Sequence, residues 1–164
     1  KSDYKKLDKE EDVMNALRNA GVQPGTYMFP CAGDMKEAYT PEMMEKFKQG
    51  PVGLLTMLPN GMINMGKSLG QWFGLCILTS VFTGYVAGAA LAPGAEYLKV
   101  FQVTGTIAIM AYGFGNIADS IWKGQSWGVT MKFIFDAVVY GLVTAGAFGW
   151  LWPEATSALP TLPT

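Results

Sequence analysis

The chain has 164 residues, of which 50% are hydrophobic and 15% are charged, against the roughly 25% charged residues of a typical soluble domain. Its net charge of -1 provides no basic surface for nucleic acid, and the absence of histidine removes the commonest general base and metal ligand. Nine of the 12 basic and nine of the 13 acidic residues precede Leu69. This distribution predicts a polar cap, residues 1–68, followed by a nearly charge-free membrane unit, residues 69–153.

The cap carries the signals of a small α+β fold. An N-terminal helix is predicted with Asp8 as its N-cap and Gly21 just beyond its end. A short strand is predicted over residues 26–29, and a second helix over residues 40–50, with proline in its first turn. The Asn-Gly pair at 60–61 lies between two apolar runs, which is typical of a β-hairpin turn.

Three stretches are long and apolar enough to cross a bilayer, whose hydrocarbon core is roughly 30 Å thick. They cover residues 69–91, 97–122 and 129–152, and aromatic side chains near their ends are typical of membrane interfaces. The connecting turns are short, so the three helices are expected to be sequential antiparallel neighbours. The predicted fold is an all-α membrane bundle with a small α+β cap, and the proline-containing residues 154–164 are predicted to be a disordered tail.

Small residues recur every four positions in the predicted spans, and this spacing lets membrane helices approach closely. One interpretation is packing within the chain, and the other is that one such face binds another chain. We expect the small residues of the third span to face protein, and larger residues such as Phe135 to face lipid. The residues predicted for packing are Gly66, Gly70, Gly74, Ser80, Gly84, Gly88, Ala92, Gly141, Ala145 and Gly149.

Polar side chains form one face on each of the last two spans, at steps of three and four residues. Ionised residues in a bilayer cost at least roughly 2.5–3.5 kcal/mol, so they are expected to face inward and to pair. Asp119 is expected to pair with Lys132, and Asp136 to hydrogen-bond a polar neighbour. An ion path or ligand site and a purely structural role both fit this pattern. The cluster consists of Tyr112, Asn116, Asp119, Lys132, Asp136 and Tyr140.

Soft sulfur ligands are concentrated in the cap, because eight of the ten methionines precede Leu69. Thioethers and thiolates suit Cu(I), whereas methionine also fills small irregular cores. The candidate metal ligands are Cys31, Met57, Met62 and Met65. No cofactor and no enzyme activity are expected, since histidine is absent and no phosphate-binding loop is found. Cys76 falls in a predicted span, so a disulfide with Cys31 is not expected.

Five strings in this sequence resemble a group of small bacterial inner-membrane proteins that have no assigned activity. They are KSDYKKL, PGTYMFP, GPVGLLTMLPNGMINMGK, SIWKGQSW and AVVYGLVTAGAFGWLWP. The resemblance covers the chain up to the proline-containing tail. It implies about four spans, the first of them before Lys1, and it implies no catalytic or binding residues.

The composition and the small-residue faces together predict an accessory or interaction subunit of a larger membrane assembly. The alternative is a small oligomeric transporter or channel that uses the polar cluster, and a lesser alternative is copper binding by the cap. The expected partners are the lipid bilayer and other membrane chains, in a hetero-complex or a homo-oligomer. Lys67, Lys123 and Lys132 lie on the cap side and Lys99 on the other, so the positive-inside rule predicts a cytoplasmic cap.

Overall fold

The computed structural model describes residues 3–155. The chain divides into two compact units between Ile63 and Asn64. This boundary lies five residues before the predicted one at 68, because the first long helix starts ahead of its apolar stretch. The tail predicted to be disordered falls, from residue 156 onward, outside the described residues.

The first unit is a small α+β arrangement, as predicted. A two-stranded antiparallel sheet pairs Gly25 with Met57 and Phe29 with Gly53. Among the described residues of this unit, Met43 is the buried apolar side chain, with 5% of its surface exposed. The elements are α1 (Glu10–Asn19), β1 (Gly25–Phe29), α2 (Met35–Ala38), α3 (Pro41–Gln49) and β2 (Gly53–Met57).

The helix ends in this unit follow the capping signals of the sequence in part. Thr40 caps α3 by accepting a hydrogen bond from the Met43 N–H. Gly21 has φ of 65° just past α1, the left-handed conformation that favours glycine. The predicted cap at Asp8 is wrong, because Lys9 occupies that position and makes no side-chain cap.

The hairpin predicted at residues 60–61 is also wrong. The strand before it, β2, pairs with β1, which lies earlier in the chain. The residues after it enter a helix, because the Asn64 side chain accepts a hydrogen bond from the Lys67 N–H and caps that helix. The Asn-Gly pair therefore belongs to the connection between the two units.

The second unit contains the three predicted membrane helices. They are α4 (Met65–Ala90), α5 (Tyr97–Lys123) and α6 (Trp127–Leu151). They have 26, 27 and 25 residues, so at about 1.5 Å per residue each is roughly 38 to 40 Å long. This length exceeds the roughly 30 Å of a hydrocarbon core. All three are apolar enough to cross a membrane, so the prediction of a helical membrane bundle is confirmed.

The tightest packing in this unit is between α5 and α6, which run antiparallel. The contact places small residues opposite each other: Gly105 faces Ala145, and Gly113 faces Ala137. Between these pairs, Ile109 lies against Gly141. Because at least one residue in each of these contacts is glycine, the two backbones approach closely.

The other end of this hairpin is fixed to the loop between α4 and α5. The Trp152 indole Nε1 donates a hydrogen bond to the Ala92 carbonyl at 3.1 Å. The Gly94 N–H donates to the Pro153 carbonyl at 2.7 Å. The chain that leaves α6 therefore joins α4, α5 and α6 at the end opposite to the α5–α6 turn.

Candidate functional site: an aromatic and acidic pocket

A pocket of about 190 Å³ lies among the three long helices. It is near the end where α4 begins and α5 ends. From Trp127, the start of α6, to Asp136 the helix rises about 14 Å. The lining residues are Trp72, Tyr112, Asn116, Phe133, Asp136, Ala137 and Tyr140.

Helical periodicity brings these side chains together. On α6 the four lining residues lie at positions 133, 136, 137 and 140, the spacing of a single helix face. On α5, Tyr112 and Asn116 are one turn apart. Trp72 comes from the early part of α4 and had no place in the cluster predicted from the sequence. Its large ring lies near the start of a predicted span, where aromatic side chains are typical of the membrane interface.

Three aromatic rings, one from each helix, form a wall of this pocket. The Trp72 ring centroid is 6.1 Å from that of Tyr112 and 5.7 Å from that of Tyr140. The two tyrosine centroids are 5.6 Å apart. All three pairs are tilted rather than stacked flat, an arrangement that aromatic pairs prefer. This aromatic triad, Trp72, Tyr112 and Tyr140, ties the three helices together.

Asp136 is the one acidic residue lining the pocket. Within residues 3–155, its carboxylate has neither a hydrogen bond nor an ion pair, so the expected hydrogen bonds to Asn116, Tyr112 or Tyr140 are not made. The Asn116 amide instead donates to the Tyr112 carbonyl of its own helix at 3.1 Å. Since that carbonyl lies one turn away on the same helix, the amide reaches it without spanning the pocket.

The remaining charged residues of the predicted cluster do not line the pocket. Asp119 pairs with Lys123, one turn further along α5, at 2.7 Å. The expected pair of Asp119 with Lys132 is therefore replaced by an ion pair within one helix, which needs no contact between helices. Lys132 is exposed on α6.

Small residues fall into two groups. Gly141 and Ala145 are buried at the α5–α6 contact, Gly149 lies against the Tyr97 ring, and Gly84 lies against Phe148. By contrast, no heavy atom of another element lies within 4 Å of a Cβ built on Gly70, Gly74 or Gly88, as far as the described chain extends. Within this chain, these three glycines take no part in the helix packing expected of them.

A polar network under the α5–α6 turn was not among the predicted features. Ser120 and Thr130 share a hydrogen bond between their hydroxyl groups, and the Gln125 amide donates to Thr130 Oγ1 at 2.9 Å. Thr130 is fully buried. The sequence feature that indicates such a network is the presence of uncharged polar residues on both sides of the short turn.

The buried face of α4 was missed as well. Its most buried residues are Thr79, Thr83 and Ala87, which recur every four positions. This face lies one residue before the predicted series of Ser80, Gly84 and Gly88. Threonine and alanine are small enough for close packing, but the predicted series lay on the neighbouring register and contained no threonine.

The candidate metal ligands of the cap are not brought together. Cys31 follows Phe29 at one end of the sheet, whereas Met57 pairs with Gly25 at the other end. Four residues of extended strand, about 13 Å, separate these two ends. Met62 is 100% exposed. Met65 begins α4 in the second unit.

Comparison of this chain with protein-family models, curated proteins and solved structures found no match. The class of protein is therefore defined by the fold alone. It is a membrane protein of three apolar helices with a small α+β cap.

Proposed function

We propose that the protein is an accessory subunit of a larger assembly in the bacterial inner membrane, bound to another membrane chain through an open glycine face on α4. The α4 glycine face consists of Gly66, Gly70, Gly74 and Gly88. The observation that carries the proposal is that a Cβ added to Gly70, Gly74 or Gly88 would meet no other element of the described chain within 4 Å.

Helix geometry places these glycines on one side of α4. At about 100° per residue, positions 66, 70, 74 and 88 fall within a sector of roughly 80°. Ile77 and Val81 lie in the same sector and are exposed. The buried Thr79 and Thr83 lie on the opposite side of the helix. Gly70, Gly74 and Gly88 are thus directed away from the buried threonines, whereas Gly84, at the edge of the same sector, lies against Phe148.

Glycine on an outward helix face has a cost that close packing offsets. A glycine inside a helix is about 1 kcal/mol less favourable than alanine, and lipid tails gain nothing from its missing side chain. A neighbouring helix does gain, because a four-residue glycine spacing allows backbones to approach closely. A transmembrane helix of another protein is therefore the occupant that this surface fits.

The test is purification of the native complex in mild detergent, followed by identification of the chains that co-purify. We expect a second membrane protein to co-purify with the wild type and to be lost with Gly74→Leu. Thermal stability of the isolated variant should equal that of the wild type, because position 74 faces open space. Phe135→Leu is the matched control: it alters an exposed apolar residue of α6 and should retain the partner.

Two outcomes would contradict this proposal. If the wild-type chain purifies alone, there is no partner chain. If the partner is retained with Gly74→Leu, the glycine face does not bind it.

A homo-oligomer with a polar central cavity would favour the transporter or channel alternative. The specific feature on which that alternative rests is the pocket lined by Asp136 and Asn116. Copper binding by the cap gains no support from the separation of Cys31 and Met57.

The cap is proposed to face the cytoplasm. Lys67 near the start of α4 and Lys123 at the end of α5 are at the membrane side from which the cap emerges, whereas Lys99 is at the start of α5. Cys31 is exposed and allows a direct test in a Cys76→Ser background. A membrane-impermeant maleimide should label Cys31 in inverted vesicles and not in intact cells. Labelling of intact cells would place the cap outside.

A further inference from the structure

We propose that the pocket among α4, α5 and α6 binds an organic ammonium group, carried either by a small amine or by the amine headgroup of a phospholipid. The inference rests on three features of the lining: the aromatic triad, the carboxylate of Asp136, with which no described residue pairs, and the small number of oxygen ligands. It is independent of the α4 glycine face.

The aromatic triad offers the surface that ammonium groups prefer. A cation within about 6 Å of a ring centroid is attracted by the negative face of the ring, most strongly for tryptophan, and cages of several aromatic rings recognise quaternary ammonium groups. Trp72, Tyr112 and Tyr140 all line this pocket, with centroids 5.6 to 6.1 Å apart. A cation in the pocket therefore meets aromatic side chains from all three helices.

Asp136 supplies the opposite charge. A charged residue far inside a membrane helix costs several kcal/mol unless it has a partner, and Asp136 lies about 14 Å from the start of α6. No described residue gives its carboxylate a hydrogen bond or an ion pair. A bound cation would provide a counter-charge in direct contact with this carboxylate, which no described residue does.

The lining favours an organic cation over a metal ion. Ca²⁺ takes six to eight oxygen ligands, several of them carboxylate or carbonyl oxygens of the protein. The oxygen atoms that the side chains of this lining offer belong to one carboxylate, one amide and two tyrosine hydroxyl groups. No cluster of three or more histidine, cysteine or acidic residues was found in the described chain. The volume of about 190 Å³ also exceeds the roughly 30 Å³ of a single water.

The test is calorimetric titration of tetramethylammonium chloride into the full chain in phosphatidylglycerol nanodiscs, with sodium chloride as the ionic-strength control. We expect saturable binding of tetramethylammonium and none of sodium. Asp136→Asn keeps the side-chain shape but removes the charge, and should weaken binding at least tenfold. Trp72→Leu should weaken it by a similar factor, whereas Trp72→Phe, which retains a ring, should lose less.

Glu96→Gln is the matched control, because it removes a carboxylate at the start of α5, at the other end of the helix. It should bind tetramethylammonium like the wild type. Gly74→Leu should do so too, which separates this proposal from the subunit role. Folding of each variant is checked by its denaturation midpoint in sodium dodecyl sulfate. Absence of saturable binding to the wild type, or equal affinity of a folded Asp136→Asn variant, would overturn the proposal.

A second measurement identifies the source of the ammonium group. If the ligand is a lipid headgroup, phosphatidylethanolamine nanodiscs should lower the apparent affinity for tetramethylammonium at least fivefold. Native mass spectrometry should then show this lipid retained by the wild type and lost by Asp136→Asn. Equal affinity in both nanodiscs, with binding still dependent on Asp136, assigns the pocket to a small amine. Crosslinking of position 136 to a lysine or arginine of a co-purifying chain would overturn both versions.

Discussion

The α5–α6 hairpin and the helix α4 use similar small residues in different ways. In the hairpin, Gly113 faces Ala137 and Gly105 faces Ala145, so each small residue is matched by one on the other helix. In α4, by contrast, a side chain added at Gly70, Gly74 or Gly88 would meet open space, and Thr79 and Thr83 are buried on the opposite side. A glycine spacing therefore identifies a surface suited to close packing without identifying what packs there.

The difference has a physical origin in the bilayer. Lipid tails are as apolar as leucine, so apolarity does not direct a membrane helix toward its neighbours, and packing does. The hairpin helices are joined by a short turn, and their small faces meet each other. Helix α4 meets the hairpin on one face only, so its second small face stays available to another chain.

The largest effect is expected from Gly141→Leu. A Cβ at this position would lie 3.2 Å from the Ile109 backbone nitrogen and closer still to the Ile109 side chain. Because a backbone atom cannot move aside without separating the helices, we expect a loss of about 3 kcal/mol or more in unfolding free energy. Titration with sodium dodecyl sulfate measures it. A variant as stable as the wild type would show that the α5–α6 contact is looser than described.

A smaller effect is expected from Gly149→Val. Here the added Cβ would lie 2.7 Å from Cε2 of the Tyr97 ring, and a side chain at the start of α5 can move. We expect a loss of about 2 kcal/mol in the same titration. Tyr97→Leu should recover part of that loss in the double variant, since contacting residues are energetically coupled. If the changes in unfolding free energy of the two single variants simply add in the double variant, position 149 and Tyr97 are not in contact.

The polar network under the turn tests how much the hairpin depends on hydrogen bonds. Thr130→Val preserves the shape of a fully buried side chain but leaves Ser120 and Gln125 without their shared partner. We expect a loss of about 1.5 kcal/mol in unfolding free energy. Thr106→Val is the control, because its hydroxyl bonds only its own helix and is exposed. An equal loss in the two variants would mean that the network adds nothing specific.

The smallest effect on folding is expected from Gly70→Leu. Nothing in the described chain lies near this position, and leucine is the better helix former, so the unfolding free energy should change by no more than about 1 kcal/mol and in the stabilising direction. The contrast with Gly141→Leu sharpens the comparison between the two helices. A strongly destabilised Gly70→Leu variant would mean that position 70 is packed inside the unit.

The elements that could be predicted from the sequence are those set by local chemistry. The three spans follow from long apolar stretches, and α3 follows from Thr40 and Pro41, which favour a helix start in any context. The hairpin prediction was wrong because a segment distant in sequence supplied the pairing strand. The Asn-Gly pair at 60–61 had a hairpin signal, yet β2 found its partner in β1. A local turn signal cannot report that choice.

Four of the seven residues that line the candidate site could be predicted in the same way. Tyr112 and Asn116 on α5, and Asp136 and Tyr140 on α6, share faces that helical periodicity alone defines. Trp72 could not be assigned, because its position depends on how α4 crosses the hairpin. The partners of Asp119 and Asn116 could not be assigned either, since both residues found them within α5.

The sequence by itself determined that this chain has three membrane helices and a small polar cap, because apolar length and capping residues act over one helix at a time. Only the tertiary structure decided which small faces meet, which polar residues find partners, and that one ring from each helix lines the same pocket as Asp136. Those outcomes depend on how each helix is rotated about its own axis. In a bilayer, rotation is set by packing against neighbours, and no single segment encodes it.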